Sequence, residues 1–218
     1  MKKLILFILA VIVLISCNKR RQVDIEGKVL NPITQEGIEG VELWLLKPGS
    51  PFEYYGGYKR VETVFTDANG NFKVDVKSAS AEILRVADLH GAYYKIGWHE
   101  DGVKLPSDLP VQQGKNMKAD FYAVPYGKLQ INIKNMSCFD SSDKVMIYFD
   151  GESDDSWTFN HGLLYEKHGC IDVMDSKVQS TMGYKYFRWV SIKNNITTTY
   201  YDTVFVDEGL TTIVNVFY

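Results

Sequence analysis

The most regular feature of the sequence is an alternation of apolar and polar residues that begins at Val23. From Val23 to Val29 every second residue is apolar or glycine, and the residues between them are charged. Alternation with a period of two is typical of a β-strand with one buried face. Similar patterns predict six more strands, at residues 41–45, 61–66, 72–76, 83–87, 92–98 and 117–124. Seven short strands with turn signals between most of them predict a β-sandwich over residues 23–124.

The connections between these strands differ greatly in length. The sequence from Asp67 to Gly70 predicts a tight reversal, because glycine readily adopts the positive φ that such turns often need. Residues 47–60 and 99–116 form much longer connections, and long loops in compact domains are often functional. The first of these is rich in tyrosine. Its rings are candidates for stacking on a sugar or holding a peptide, and the alternative is that they pack back on the sandwich.

A second series of alternating segments follows a short joint at residues 124–127, which reads Val-Pro-Tyr-Gly. The segments are residues 129–133, 145–149, 184–192, 200–206 and 211–218, with one or two more strands between 163 and 173. No proline follows Pro125, so nothing prevents these segments from being central strands. We expect a second β-sandwich of six or seven strands over residues 127–218. The chain is therefore predicted to be all-β, with two sandwiches in tandem, and an internal duplication is left open.

The amino-terminal residues predict an export signal. Lys2 and Lys3 precede an unbroken apolar run of 12 residues, 4–15. A helix needs about 20 apolar residues to cross a bilayer, whereas this run has the length of a signal-peptide core. The run ends in Leu-Ile-Ser-Cys at residues 14–17, which resembles the lipobox of bacterial lipoproteins. The alternative is an ordinary signal peptide followed by a coincidental cysteine.

The resemblance to the lipobox implies that residues 1–16 are a signal peptide, that Cys17 is lipidated, and that residues 17–22 form a tether. More than one acyl chain is needed for stable membrane anchoring, and a triacylated cysteine exceeds that requirement. By similarity to Gram-negative sorting, Asn18 favours the outer membrane. Residues 19–21 are basic, whereas some surface-exported lipoproteins carry acidic residues there. We therefore favour the periplasmic leaflet, and a solvated tether is the other interpretation of the basic run.

The net charge of the chain argues against one class of binding partner. The chain has 24 basic and 27 acidic residues, and removal of Lys2 and Lys3 with the signal peptide leaves 22 against 27, a net charge of −5. This balance does not fit nucleic-acid binding, which needs a basic face. The 14 tyrosines, 11 phenylalanines and 4 tryptophans favour β-structure, because aromatic side chains fit a half-buried pleated surface.

Three short motifs in the first predicted sandwich resemble the carboxypeptidase regulatory-like domain family. They are Gly27-Lys28-Val29, the Gly-Ile-Glu-Gly-Val of residues 37–41, and the Thr-Asp-Ala-Asn-Gly-Asn-Phe of residues 66–72. The match covers residues 23–80 and extends loosely to 124. The resemblance implies a transthyretin-like fold with no catalytic residues of its own. Because relatives are fused to peptidases or transporter receptors, we expect the partner here to be a separate chain.

The second predicted sandwich contains two groups of chemically distinctive residues. Cys138 and Cys170 are candidates for a disulfide in an oxidising compartment, and the alternative is two buried thiols. Oxygen ligands for Ca²⁺ are offered by four nearby carboxylates, Asp150, Glu152, Asp154 and Asp155. Their spacing matches no known calcium loop, so an acidic surface turn is the competing interpretation. The sequence contains neither a Gly-x-Ser-x-Gly nor a Gly-Lys-Ser/Thr motif.

These observations predict a non-catalytic lipoprotein of the outer membrane that acts as a binding or accessory module. We expect it to contact the membrane through lipid on Cys17, to bind a protein partner in the envelope, and to use no cofactor. The first alternative is a glycan-binding protein whose stacking platforms are Tyr54, Tyr55, Tyr58 and Trp157. A hydrolase is the second alternative.

Overall fold

The computed structural model describes residues 22–52, 56–78, 80–87, 89, 91–149 and 162–218. All the regular secondary structure in these ranges is β-strand, which confirms the all-β prediction. The strands are β1 (Gln22–Leu30), β2 (Glu42–Pro48), β3 (Tyr58–Phe65), β4 (Asn71–Lys77), β5 (Ile83–Val86), β6 (Tyr93–Glu100), β7 (Val103–Lys104), β8 (Leu109–Pro110), β9 (Asn116–Lys118), β10 (Asp120–Lys134), β11 (Lys144–Phe149), β12 (Gly162–His168), β13 (Asp172–Met174), β14 (Val178–Thr181), β15 (Gly183–Lys193), β16 (Ile196–Val206) and β17 (Thr211–Phe217). The described ranges hold no helix that is long and apolar enough to span a membrane.

The chain divides into two compact units. Among the described residues, the first unit comprises those from Gln22 to Gly91 together with Lys95–Ala123, and the second comprises those from Val124 to Tyr218 together with Ala92–Tyr94. In the first unit, one sheet runs β4-β1-β10-β6-β7 with β9 also paired to β1, and the other runs β3-β2-β5-β8. The alternating apolar residues face inward between these sheets. They include Val23, Ile25, Leu43, Leu45, Val74, Leu84 and Trp98.

The three motifs of the first unit meet around Val29. The backbone N–H of Val29 donates to Gly70 O at 2.9 Å, and its carbonyl accepts from Ile38 N at 2.8 Å. A Cβ on Gly37 would overlap the backbone of Asn69, and a Cβ on Gly70 would overlap Val29 O and Gly37. Glycine is therefore required at 37 and 70 by close backbone packing, and Gly70 also has a φ of 76°.

Thr66 and Asp67 hold the same region by side-chain hydrogen bonds. The buried Thr66 hydroxyl donates to Ile38 O at 2.7 Å and accepts from Val41 N at 2.8 Å. Asp67 Oδ1 accepts from the backbone N–H of Asn69 at 2.9 Å and of Asn71 at 2.8 Å. Hydrogen bonding from Asn71 lowers the pKa of Asp67, so the turn is held by an ionised carboxylate. The motif residues are thus explained by the fold alone.

The predicted loop at residues 99–116 is partly tied to the sheets. It contains β7 and β8, and β8 pairs with β5 at the edge of the second sheet. Leu109 is buried at this point, while Pro110 occupies an edge position, where the missing N–H costs no central pairing. The sequence analysis gave residues 99–116 as one long connection and missed β7 and β8, because a two-residue strand is too short to show alternation.

The second unit is also a pair of sheets, as predicted. The later residues of β10 pair with β13, β14 and β17, and the other sheet runs β12-β11-β15-β16. Inward-facing residues of both sheets form one core, which includes Leu129, Ile131, Val145, Ile147, Phe149, Phe187, Trp189, Val214 and Val216. Three features differ from the predicted pattern. Strand β14 was not predicted, and β16 begins at Ile196 instead of residue 200. The predicted joint at residues 124–127 lies inside β10, which continues from Asp120 to Lys134 because Pro125 is compatible with extended backbone.

Candidate functional site

Most of the residues that the sequence analysis predicted to carry lipid or to bind calcium or a glycan lie outside the described residues. Lipidation, calcium binding and the loop tyrosines therefore remain predictions. The residues concerned are Cys17, Tyr54, Tyr55, Asp150, Glu152, Asp154, Asp155 and Trp157. Within the described residues, no group of three or more His, Cys, Asp or Glu side chains is arranged to hold a metal ion.

Tyr58 is the one nominated platform residue that the structure describes. It begins β3 and is half-buried, with the guanidinium carbon of Arg85 5.7 Å from its ring centroid. Arg85 in turn donates from Nε and Nη2 to the two carboxylate oxygens of Asp108, at 2.8 and 2.7 Å. This bidentate bond to Asp108 raises the pKa of Arg85. The ring of Tyr58 therefore lies against a fixed ion pair.

A second aromatic–arginine pair lies on the same sheet. Arg60 of β3 is placed with its guanidinium carbon 5.0 Å from the ring centroid of Trp44 on β2. Glu42 Oε1 accepts from Trp44 Nε1 at 2.6 Å and from Arg60 Nη1 at 3.2 Å. Trp44 is paired with Arg85 on β5, so the two aromatic–arginine pairs are neighbours. Each guanidinium is oriented by a carboxylate and is within cation–π distance of a ring.

A third aromatic ring, that of Phe65, lies on the same face of this sheet. Phe65, at the end of β3, is opposite Glu42 in the β2–β3 pairing and is 62% exposed. We call Trp44, Tyr58, Phe65, Arg60 and Arg85 the aromatic–arginine surface. Sequence reasoning nominated only Tyr58. The sequence feature that could have indicated this surface is Trp44, a large aromatic at an outward position between the inward Leu43 and Leu45 of β2.

The first unit also contains an open groove of about 650 Å³. Charged side chains of both signs line it, and Lys118 Nζ is 2.9 Å from Glu26 Oε1. The hydrogen bond from Lys118 lowers the pKa of Glu26, and Asp67, which also lines the groove, has a lowered pKa as well. Both carboxylates are therefore ionised, and both already have partners within the chain: Glu26 is paired with Lys118, and Asp67 accepts from the backbone N–H groups of Asn69 and Asn71.

In the second unit, Cys138 and Cys170 are bonded through their Sγ atoms, with their Cα atoms 5.2 Å apart. Hydrogen bonds hold the loop around them. Asp143 Oδ2 accepts from Phe139 N and from Asn135 Nδ2, each at 2.8 Å. Lys193 Nζ donates to Asn135 Oδ1 at 2.6 Å, and hydrogen bonding from Phe139 N lowers the pKa of Asp143. This arrangement is structural, because these bonds and the disulfide tie residues 135–143 to Cys170 and to Lys193 of β15.

Comparisons with known proteins give only distant structural likenesses. No protein-family model and no curated protein matches the sequence. The crystal structure of the minor pilin GBS52 from Streptococcus agalactiae is 12% identical over 90% of this chain and 94% of that one, with a TM-score of 0.33. A DUF3823 family protein from Bacteroides uniformis is 10% identical over 86% and 99% of the two chains, with a TM-score of 0.32. One from Parabacteroides merdae is 14% identical over 85% and 98%, with a TM-score of 0.29.

Proposed function

We propose that the protein is a non-catalytic binding or accessory module of the cell envelope, anchored in the outer membrane by lipid on Cys17, and that a protein partner binds its aromatic–arginine surface. The observation that carries the proposal is the composition of that surface. Tryptophan, tyrosine and arginine dominate the binding energy of protein interfaces. Here two rings are each held beside a guanidinium that a carboxylate orients. Such side chains lose little conformational entropy when a partner binds.

Charge favours a partner bound mainly through apolar contact. Arg60 is paired with Glu42 and Arg85 with Asp108, at 3.2 and 2.7 Å. The surface is therefore close to neutral, and the four paired charged side chains remain about one-third exposed. A strongly charged partner would gain little from it, whereas an aromatic or aliphatic anchor would displace water from the rings.

The first test is crosslinking of the full chain in cells, comparing the native protein with Trp44→Ala/Tyr58→Ala. Each of the two aromatic side chains is expected to contribute about 2 kcal/mol to the binding free energy. Losing both should therefore reduce the yield of the crosslinked partner by at least tenfold. Phe139→Ala is the matched control, because Phe139 is an exposed aromatic of the second unit. Circular dichroism of each variant checks that the fold is retained. An unchanged yield from the double variant would exclude this surface as the binding site.

The anchor is tested separately with Cys17→Ser. We expect this variant to leave the membrane fraction, because no acyl chain can be attached and a stable hold needs more than one. The mass of the mature amino terminus of the native protein gives the second measurement. An unacylated first residue in the native protein would contradict the lipid anchor. It would not bear on whether a partner binds the aromatic–arginine surface.

Glycan binding through Tyr54, Tyr55, Tyr58 and Trp157 is the alternative function. The structure describes Tyr58 next to the Arg85–Asp108 ion pair. A glycan array on the chain from Asn18 to Tyr218 separates the two functions. Specific glycan binding that is lost in Tyr54→Ala/Tyr55→Ala and kept in Trp44→Ala would favour glycans over a protein partner.

A further inference from the structure

The end of the first unit at which β1 begins is rich in lysine. Lys77, the last residue of β4, lies opposite Gln22, the first residue of β1. The backbone N–H of Gly114 donates to Gln22 O at 2.8 Å, which brings Lys115 to the same end. We call this the tether end, because the proposed tether, residues 17–22, leads into it.

The hairpin of β2 and β3 contributes two more lysines to this end. Leu46 O, near the end of β2, accepts from Glu82 N at 2.9 Å, and Glu82 O accepts from Val111 N at 2.7 Å. Since Val111 begins the segment that contacts the start of β1, strand β2 also ends there. In the β2–β3 pairing, Lys47 lies opposite Lys59. The basic residues of the tether end are therefore Lys47, Lys59, Lys77 and Lys115.

Ion pairs within the part of the chain that the structure describes do not neutralise these lysines. None of the four forms an ion pair there, whereas three other lysines each bind a carboxylate. Like charges opposite each other destabilise a strand pair, and Lys47 opposite Lys59 is such a case. Two exposed carboxylates, Glu82 and Asp75, lie at the same end, and Asp75 accepts from Gln22 Nε2. The tether end therefore has an excess of positive charge.

The opposite end of the first unit is acidic. It consists of the loops at residues 31–41 and 66–70, which contain Glu36, Glu39 and Asp67 and neither lysine nor arginine. All three carboxylates are exposed. Strand β1, which runs from one end to the other, has nine residues and extends over about 30 Å. An anionic surface would therefore attract the tether end and repel the opposite one.

An exposed aromatic ring also belongs to the tether end. Phe52 is 95% exposed and lies in the connection between β2 and β3. Gly49 N donates to Gly57 O at 2.8 Å, so the hairpin continues past its last paired residues, Pro48 and Tyr58. Surfaces that bind a membrane interface combine lysine or arginine with phenylalanine, tryptophan or leucine. The tether end has both components.

We propose that the tether end binds a membrane surface of anionic phospholipid headgroups, with Phe52 inserted among them. The orientation rests on the lipid anchor proposed above, because the chain from Cys17 to Gln22 spans at most about 18 Å. Within that reach the lysines can approach to a Debye length of about 8 Å, where an anionic surface attracts them. Residues 18–218 contain 22 basic and 27 acidic residues, so attraction depends on presenting this end.

Cosedimentation with vesicles tests the surface separately from the anchor, because the chain from Asn18 to Tyr218 lacks Cys17. At low salt we expect it to bind phosphatidylcholine vesicles that contain about one-third phosphatidylglycerol, and not pure phosphatidylcholine. Salt at about 0.5 M should abolish binding, because the Debye length shortens. Equal partitioning onto both kinds of vesicle, or onto neither, would overturn the proposal. Binding of this chain, combined with an unacylated native protein, would contradict the anchor and support the surface.

Charge removal at the tether end tests which lysines bind. Each lysine near an anionic surface strengthens partitioning by about fivefold, so losing three should weaken it by about a hundredfold. The test variant is Lys59→Gln/Lys77→Gln/Lys115→Gln. A matched control removes the same net charge from exposed lysines outside the tether end and should bind nearly as well as the native chain. It is Lys104→Gln/Lys128→Gln/Lys177→Gln. Equal weakening by the two variants would show that only net charge matters and would overturn the proposal.

Fluorescence quenching by nitroxide-labelled lipid in the same anionic vesicles measures the orientation. Ser80→Cys at the tether end and Ala68→Cys at the opposite end place a fluorophore at exposed positions. We expect quenching at residue 80 and little at residue 68. Phe52→Ser should weaken partitioning by about tenfold, because a buried aromatic contact is lost. Equal quenching at both positions would contradict binding through one end.

Discussion

Gly37→Ala is expected to destabilise the first unit by about 3 kcal/mol or more. The added Cβ would overlap the carbonyl group of Asn69 and the amide of Gly70, which are backbone atoms and cannot rotate away as a side chain can. The overlap would separate residues 37–38 from the turn before β4, where Ile38 N also bonds to Val29 O. Chemical denaturation measures the loss, and hydrogen exchange by mass spectrometry shows whether protection falls in β1 and β4.

Gly40→Ala is the matched control, because Gly40 belongs to the same motif. Its φ is 71°, and a Cβ there would meet nothing within 4 Å. Alanine at this position incurs only the cost of a left-handed backbone, about 1–2 kcal/mol. A loss of stability in Gly37→Ala that does not exceed the loss in Gly40→Ala would show that close packing at residue 37 is not what the motif preserves.

Alternation was sufficient to predict the two sandwiches because most strands have one face against an opposing sheet. In β1, for example, Val23 and Ile25 are fully buried while Glu26 is exposed. The same reasoning missed the start of β16, since both of its faces are exposed and residues 197–199 are all threonine. The turn before β16 is made by Asn194 and Asn195, with φ values of 44° and 60°. Two positive φ values are typical of a type I′ hairpin, but the sequence lacks the usual glycine.

The aromatic–arginine surface could be predicted only in part, because it depends on the register between strands. Trp44 is recognisable in the sequence as an outward aromatic. Arg60 and Arg85, however, are 16 and 41 residues further along the chain, and only the pairing of β2 with β3 and β5 brings them beside it. Alternation assigns each residue to a face but does not align one strand with the next. The sequence therefore indicated tyrosines of the connection at residues 47–60, and among these Tyr58, at the start of β3, belongs to the aromatic–arginine surface.

Replacing both Cys138 and Cys170 with alanine is expected to destabilise the second unit by about 3–4 kcal/mol without changing its folded structure. The bridge joins residues 32 apart in sequence, so its main effect is to restrict the unfolded chain. In the folded state the loop is also held by the bonds that Asp143 accepts from Phe139 N and Asn135. A loss of this size lowers the melting temperature by about 15 °C or more for a unit of this length.

Two measurements distinguish this entropic effect from damage to the fold. Met136→Ala is the matched control, because Met136 is an exposed residue of the same loop and takes no part in the bridge. It should melt close to the native temperature, and the double alanine variant should keep native hydrogen-exchange protection in β10 and β17 at low temperature. Reduction of the native protein should reproduce the shift. If alkylation of the unfolded, unreduced native chain instead labels two thiols, no bridge is present to remove, and the alanine variants should melt with the native protein.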